Sequence, residues 1–259
     1  NSKNVNLSAN KMKAPEMKAA MSAKTPMVGV SIMFSSPQLV EMIAALGFDW
    51  VLLDCEHGSI DLSDLEVMAI AAKAAGITAI ARPPSNSPID IMRVMDRGVD
   101  GVQVPHIKSQ KEAKAAVESV KFHPLGNRGL AMGTRPSNYG IGVELDQYSK
   151  TSNLDSIVVL QIEDREAIEN LDEILSVPDV DVFFVGPSDL SQSLGHPGKA
   201  NEPPVSTAIR KIFRSIAEAG LTSGTASSEK QMEKAKKEGC CYLYTHLNNV
   251  LKLGAENYL

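Results

Sequence analysis

The sequence predicts an α/β protein that folds as a single (β/α)8 TIM barrel, and three observations support this prediction. Short apolar and β-branched runs recur eight times along the chain. Segments with helical periodicity separate these runs, which is the strand–helix alternation typical of a parallel barrel. The chain has 259 residues, and barrels of this class commonly take about 250 residues as one domain.

The eight predicted strands are continuous apolar runs rather than alternating ones. This pattern is typical of parallel strands that are buried on both faces. Each run ends at polar residues or at Gly or Pro. In chain order the predicted strands cover residues 27–32, 50–54, 77–82, 101–104, 157–161, 182–185, 221–224 and 241–245.

The predicted helices carry recognisable start and stop signals. Ser63 with Glu66 three residues later predicts a capping box for a helix over residues 63–75, and Gly76 predicts its end. Two further helices, over 205–219 and 229–238, are each followed by Gly in the same way.

Two connections are longer than a βα crossover needs. Residues 123–155 are rich in Gly, Pro and Asn and predict a long ordered loop, and residues 186–204 form a second one. Both follow strand ends, on the face where barrel enzymes keep their active sites. We expect residues 1–24 to form an N-terminal extension or helix and residues 25–259 to form one barrel domain.

Composition excludes several classes of protein. The formal net charge of −5 argues against general nucleic-acid binding, which requires a basic face. No apolar run approaches the roughly 20 residues of a membrane-spanning helix. The three cysteines form neither an even-numbered disulfide framework nor a C-x-x-C site. We therefore expect a cytoplasmic protein with no membrane or nucleic-acid partner.

Polar residues follow several of the predicted strands, and in a barrel such positions converge on one mouth. The second strand leads into Asp54, Glu56 and His57, and the third ends at Arg82. The remaining polar residues follow the fifth and sixth strands; they are Gln161, Glu163, Asp164, Ser188 and Asp189.

Glu163 and Asp189 come from neighbouring strands and predict a site for a hard divalent cation such as Mg²⁺, Mn²⁺ or Co²⁺. The alternative for each carboxylate alone is a salt bridge or a helix N-cap, and Asp189 stands near a helix start. The turn 186–189 also predicts backbone N–H groups that can bind a carboxylate.

His57 is the best candidate general base, because imidazole titrates near neutral pH; the alternative is a structural histidine. His106 also follows a strand and is a weaker candidate. Arg82 can hold an enolate oxygen or a substrate carboxylate; the alternative is a salt bridge with Asp54 or Glu56. Asp96 stands near a helix end at the bottom of the barrel. It is either an exposed partner of Arg93 or Arg97, or it reaches an active site across a subunit interface.

Several motifs occur in the order found in one known family. They are Gly47-Phe-Asp-Trp-Val-Leu-Leu-Asp-Cys-Glu-His57, Ala81-Arg-Pro83, Asp96-Arg-Gly-Val-Asp-Gly-Val102, Pro124-Leu-Gly-Asn-Arg-Gly129, Gln161-Ile-Glu163 and Val185-Gly-Pro-Ser-Asp-Leu-Ser191. Together, over residues 28–244, they resemble the HpcH/HpaI family of class II pyruvate aldolases. Two features depart from the family: Cys55 stands where members often have Gly, and the N-terminal segment is longer.

The resemblance implies a role for each matching residue. Glu163 and Asp189 match the metal ligands, and Gln161 with the backbone of Ser188 and Asp189 matches the pyruvate-binding positions. The matching catalytic set is His57 as base, Asp96 as the group that raises its basicity, Arg82 as the enolate-stabilising residue, and Asp54. The family forms hexamers, trimers of dimers with an exchanged C-terminal helix, and the apolar tail 247–253 fits this arrangement.

The expected reaction is reversible, metal-dependent cleavage of a 4-hydroxy-2-oxo acid to pyruvate and an aldehyde. Candidate substrates are 4-hydroxy-2-oxoheptanedioate and 2-keto-3-deoxy sugar acids. The strand ends carry no lysine for a Schiff base. The alternatives are a malyl- or citramalyl-CoA lyase, an oxaloacetate-type decarboxylase, and a barrel kept as a non-enzymatic scaffold.

Overall fold

The computed structural model of the protein describes residues 12–259 and confirms a closed parallel barrel of eight strands. Each strand pairs with its neighbours in chain order, and the last strand closes on the first. The strands are β1 (Met27–Ile32), β2 (Trp50–Asp54), β3 (Thr78–Arg82), β4 (Gly101–Val104), β5 (Ile157–Ile162), β6 (Val182–Val185), β7 (Ser223–Ala226) and β8 (Tyr242–His246).

Helices surround the barrel and lie antiparallel to the strands, as the crossover connections require. Several begin at a serine cap, such as Ser36, whose side chain accepts a hydrogen bond from the Leu39 N–H. The helices are α1 (Ala14–Ser22), α2 (Pro37–Ala45), α3 (Leu62–Ala75), α4 (Pro88–Met95), α5 (Gln110–Val120), α6 (Leu145–Asp155), α7 (Arg165–Glu169), α8 (Leu171–Leu175), α9 (Pro187–Ser193), α10 (Val205–Glu218), α11 (Glu229–Lys237) and α12 (Leu247–Tyr258).

The start of α3 differs from the predicted capping box. Asp61, not Ser63, is the N-cap, and its carboxylate accepts hydrogen bonds from the backbone N–H groups of Ser63 and Asp64. The Asp64 side chain completes the box in place of Glu66. Asp61 takes this position because a carboxylate can accept both N–H groups of the first turn.

The predicted loop over residues 123–155 is only partly irregular. Its last third forms α6, and a short 3₁₀ turn (Asn138–Gly140) precedes it. None of the α6 residues is buried, so the sequence shows no apolar stripe there. In the second long connection, α9 begins directly after β6, with Pro187 at its first position.

The bottom of the barrel is closed by α1. Met17 and Met21 on this helix are buried in one cluster with Trp50 and Tyr242 from the barrel interior. Helix α1 falls within the predicted N-terminal extension, residues 1–11 of which lie outside the described residues. The boundary at residue 24 stays a prediction.

Three aspartates each link two consecutive strands at the bottom of the barrel, and we call these three contacts the aspartate staples. Asp49 accepts a hydrogen bond of 2.7 Å from the N–H of Val28, on the strand before it. Asp100 and Asp181 repeat this contact, at 2.8 Å and 2.9 Å, with Ala79 and Val158. Each aspartate precedes an even-numbered strand and bonds to the odd-numbered strand before it. These contacts satisfy backbone donors that would otherwise be orphaned at the sheet end.

Candidate active site

The turn after β2 is organised by the Asp54 carboxylate, which is fully buried. It accepts hydrogen bonds from the backbone N–H groups of Glu56 and His57, at 3.1 Å and 3.3 Å. The Arg82 guanidinium, from the end of β3, binds both carboxylate oxygens through Nε and Nη2 at 2.9 Å and 2.5 Å. Burial disfavours ionisation of Asp54, but the Arg82 hydrogen bonds and charge outweigh it and lower its pKa.

Glu56 links the two candidate histidines to Arg82. Its carboxylate lies 3.2 Å from Arg82 Nε, 3.6 Å from His57 Nε2 and 3.5 Å from His106 Nε2. Burial raises the pKa of Glu56 in spite of these cationic neighbours. The salt-bridge alternative for Arg82 is therefore present, with both Asp54 and Glu56. This pairing fixes the guanidinium at the barrel mouth.

Glu163 lies at the end of β5 with only 1% of its surface exposed. One oxygen accepts a hydrogen bond of 2.9 Å from the His106 N–H, and the Gln161 amide donates to both oxygens, at 2.8 Å and 2.7 Å. Burial raises its pKa, with Asp189 adding to the rise. A Cβ on Gly186 would lie 2.3 Å from Glu163 Oε2, so the carboxylate occupies space that only glycine leaves open.

Asp189 lies in the first turn of α9, directly after β6. Strand β6 pairs with β5, and Glu163 follows β5. Gly186 is the N-cap of this helix, so the capping alternative for Asp189 is wrong. The Asp189 carboxylate has no hydrogen-bond or ion-pair partner within residues 12–259. Ser188, beside it, is exposed at the mouth.

These donors fit a divalent cation of the hard class. Two carboxylates are enough for Mg²⁺ or Mn²⁺, which complete their coordination with water and substrate oxygens. The described part of the chain contains no group of three or more His, Cys, Asp or Glu side chains placed to hold a metal ion. The Glu163 carboxylate packed against Gly186, and an Asp189 carboxylate with no hydrogen-bond or ion-pair partner within residues 12–259, are the features of the site that favour a bound ion.

His57 and His106 have different surroundings. The His57 side chain is about half exposed, and its Nε2 lies 3.6 Å from Glu56. His106 Nδ1 lies 3.0 Å from Asp164 and 3.6 Å from Glu163. Burial disfavours its protonation, but these carboxylates outweigh burial and raise the pKa of His106.

Asp96 lies away from these residues within one chain. It is the C-cap of α4, at the bottom of the barrel, and binds Arg128 at 2.6 Å. The predicted pairing with Arg93 or Arg97 is wrong: Arg97 binds Glu66 instead.

Comparison with known proteins places the chain in a family. The family model described as HpcH/HpaI aldolase/citrate lyase matches residues 28–242. The chain belongs to the HpcH/HpaI aldolase/citrate lyase family. It is a carbon–carbon lyase of the aldolase type.

Two curated relatives and one solved structure of the HpcH/HpaI family illustrate the similarity. A hydroxypyruvate/pyruvate aldolase of Sagittula stellata is 32% identical over 85% of this chain and 86% of its own. A 5-keto-4-deoxy-D-glucarate aldolase of Shigella boydii is 35% identical over 81% of this chain and 80% of its own. A family protein from Burkholderia cenocepacia superposes with a TM-score of 0.87 at 27% identity, covering 93% of this chain and 96% of that one.

The structure also brings Glu56, His106 and Gln103 to these residues. The sequence analysis places Glu56 and His106 after strands, but it treats Glu56 only as a salt-bridge partner and His106 as a weaker candidate base. It does not consider Gln103 on β4. Gln103 could have been noticed as a polar residue inside an apolar strand.

Proposed function

We propose that the protein is a divalent-metal-dependent aldolase that cleaves a 4-hydroxy-2-oxo acid to pyruvate and an aldehyde. The observation that carries this proposal is the buried Glu163 carboxylate against Gly186, close enough to Asp189 for that carboxylate to raise its pKa. Glu163 and Asp189 are the proposed ligands. A divalent cation bound there supplies Lewis acidity toward the keto and carboxylate oxygens of the substrate.

Gln161 and the turn of Ser188 and Asp189 position the 2-oxo acid. The Gln161 amide is fully buried and donates to both Glu163 oxygens, so in this proposal it acts on the acid by fixing the Glu163 carboxylate. Backbone N–H groups at the start of α9 provide donors for the acid. These contacts orient the acid so that its C3–C4 bond points toward the mouth.

Arg82 stabilises the negative charge that develops on the enolate oxygen as the bond breaks. Its guanidinium stays protonated, because Asp54 and Glu56 raise its pKa. Asp54 binds Arg82 Nε and Nη2, so the guanidinium is held in one orientation before the substrate binds. Catalysis by Arg82 therefore depends on Asp54.

His57 removes the C4 hydroxyl proton, directly or through water. Glu56 orients the imidazole from 3.6 Å. Asp96 raises the basicity of His57 from the neighbouring subunit, because within one chain it lies at the opposite end of the barrel.

Helix α12 supports a homo-oligomer with an exchanged C-terminal helix, for which we propose a hexamer. Leu247 is its only buried residue, whereas Leu251 and Leu253 are 62% and 41% exposed. An amphipathic helix with its apolar face exposed is suited to cover a second copy.

No helix within residues 12–259 has the length and apolar character needed to cross a membrane. The three cysteines are unpaired thiols, which supports our proposal of a cytoplasmic location.

The relatives favour a sugar-acid substrate. Numbered from its keto end, a 5-keto-4-deoxy hexarate is a 2-oxo-3-deoxy sugar acid. Beside Ser188, a cavity of about 310 Å³ opens between β7, α10 and α11. Its lining is rich in hydroxyl, amide and basic groups, which suit a hydroxylated, acidic aldehyde; they include Asn201, Arg210, Ser227, Ser228 and Gln231.

The test is pyruvate release from 2-keto-3-deoxy sugar acids and from 4-hydroxy-2-oxoheptanedioate, after EDTA treatment and with Mg²⁺, Mn²⁺ or Co²⁺ restored. We expect metal-dependent pyruvate that is abolished in Glu163→Gln and Asp189→Asn and retained in the control Glu166→Gln, an exposed carboxylate three residues from Glu163. Absence of pyruvate from every acid would refute the proposal and direct assays to CoA thioesters and to decarboxylation of oxaloacetate.

A further inference from the structure

A line of buried polar side chains crosses the barrel interior from β8 to β5. The Tyr242 hydroxyl donates to Gln103 Oε1 at 3.0 Å, and Gln103 Nε2 donates to Gln161 Oε1 at 2.5 Å. Gln161 Nε2 in turn donates to both oxygens of Glu163. We call these four residues the cross-barrel network.

The Glu163 carboxylate, at one end of the cross-barrel network, sets the direction of every hydrogen bond in it. Ionised Glu163 can only accept, so Gln161 must turn its NH₂ group toward it. The Gln161 oxygen then faces Gln103, which must supply its own NH₂ group. The Gln103 oxygen faces Tyr242, which must donate its hydroxyl hydrogen. An amide that is otherwise free to flip is held in one orientation at each step.

The surroundings make this order hard to relax. Tyr242, Gln103 and Gln161 have no exposed surface, and the Tyr242 ring stacks on Trp50 with centroids 4.1 Å apart. The Gln103 amide also donates toward the Tyr244 hydroxyl, which opposes the rise that burial causes in the pKa of Tyr244. A flipped amide here would place donor against donor with no water to replace the lost bond, and such an unsatisfied buried group is costly.

We propose that Tyr242 and Gln103 are positioning residues that hold the Gln161 amide as an N–H donor and thereby preset the metal-binding orientation of Glu163. This inference rests on the proposed function, since it assumes that Glu163 binds a cation. Partners of metal ligands fix the geometry of the ligand, and their loss typically lowers metal affinity about 10- to 100-fold. Neither residue touches the substrate in this account.

Three variants separate the polarity of the network from simple packing. Gln103→Met keeps nearly the same volume and removes both the acceptor and the donor. Gln103→Glu keeps the acceptor for Tyr242 but replaces the donor with a second acceptor, so Gln161 must flip and present its oxygen to Glu163. Tyr242→Phe removes only the hydroxyl, and Gln103 keeps its Nε2 donor to Gln161.

The measurement is a Mn²⁺ titration followed by electron paramagnetic resonance, with thermal unfolding of each variant as the check on folding. We expect the Mn²⁺ dissociation constant to rise about 10-fold in Gln103→Met. The rise is larger in Gln103→Glu, where the polarity is inverted, and smaller in Tyr242→Phe. The control Gln147→Met makes the same chemical change on the exposed surface of α6 and leaves the constant unchanged.

The outcomes of the titration separate the positioning role of Gln103 and Tyr242 from the proposed function. If the wild type binds Mn²⁺ and folded Gln103→Met and Tyr242→Phe bind it within about twofold of wild type, the positioning role is refuted and the proposed function stands. If the wild type binds no Mn²⁺ and releases no pyruvate, both fail. If Gln103→Glu does not fold, the other two variants decide the matter.

Discussion

Gly186→Ala tests whether the space around Glu163 is required for metal binding. An added Cβ would lie 2.3 Å from Glu163 Oε2 and 3.0 Å from its Cβ. Ordinary contact begins near 3.4 Å, so the carboxylate must shift by about 1 Å. The clash includes the Glu163 Cβ, so rotation of the carboxylate alone does not relieve it.

A displacement of about 1 Å at a catalytic group can reduce turnover about 100-fold. We therefore expect kcat/KM for pyruvate release to fall at least 100-fold, together with weaker Mn²⁺ binding. The backbone itself accepts alanine, because Gly186 has a φ of −88°. Unfolding temperature is thus expected to change much less than activity.

The assay combines coupled pyruvate detection, Mn²⁺ titration and thermal unfolding. Gly133→Ala is the matched control, since a Cβ there meets no atom within 4 Å. Activity of Gly186→Ala within about threefold of wild type would refute the assignment of Glu163 as a ligand in this orientation.

Three further predictions follow from charged groups. Arg82→Lys loses the two-nitrogen fork on Asp54, so kcat is expected to fall about 100-fold with a smaller change in KM; an unchanged kcat would contradict the enolate role. Mixed oligomers of inactive His57→Ala and Asp96→Ala are expected to regain activity, and no recovery in confirmed mixtures would exclude a shared site. Burial raises the pKa of Asp100 from 3.8 to about 6, so its contribution to stability is complete below about pH 4 and is lost as pH rises through 6. Asp100→Asn removes this decline in the free energy of unfolding, which amounts to at most about 3 kcal/mol. Equal slopes of the unfolding free energy against pH in the variant and in wild type, measured by urea unfolding, would contradict this prediction.

The barrel was predictable because its strands are buried on both faces and read as apolar runs. The error is largest at β7, which was predicted two residues early. This strand is Ser223–Ala226, and its small and polar residues carry no apolar signal. Helix α6 was missed for the related reason that it buries no residue.

The positions of Arg82 and of the proposed metal ligands were predictable because barrel topology brings strand ends together. Arg82 ends a strand and Glu163 and Asp189 follow strands, so no side-chain detail is needed to place them at the mouth. The roles of Gln103 and Tyr242 were not predictable in this way. Their contact joins β4 to β8 across the interior, and only the relative heights of opposite strands determine whether two such side chains meet.

Each aspartate staple links one pair of consecutive strands: β1 to β2, β3 to β4, and β5 to β6. The long connection between β4 and β5 lies between two such pairs. New chain ends near Gly133, in open space within this connection, would leave Asp49 and Asp100 in one four-stranded half and Asp181 in the other. Each staple would keep both of its partners in the same half, so circular permutants and split versions of the protein are best opened there.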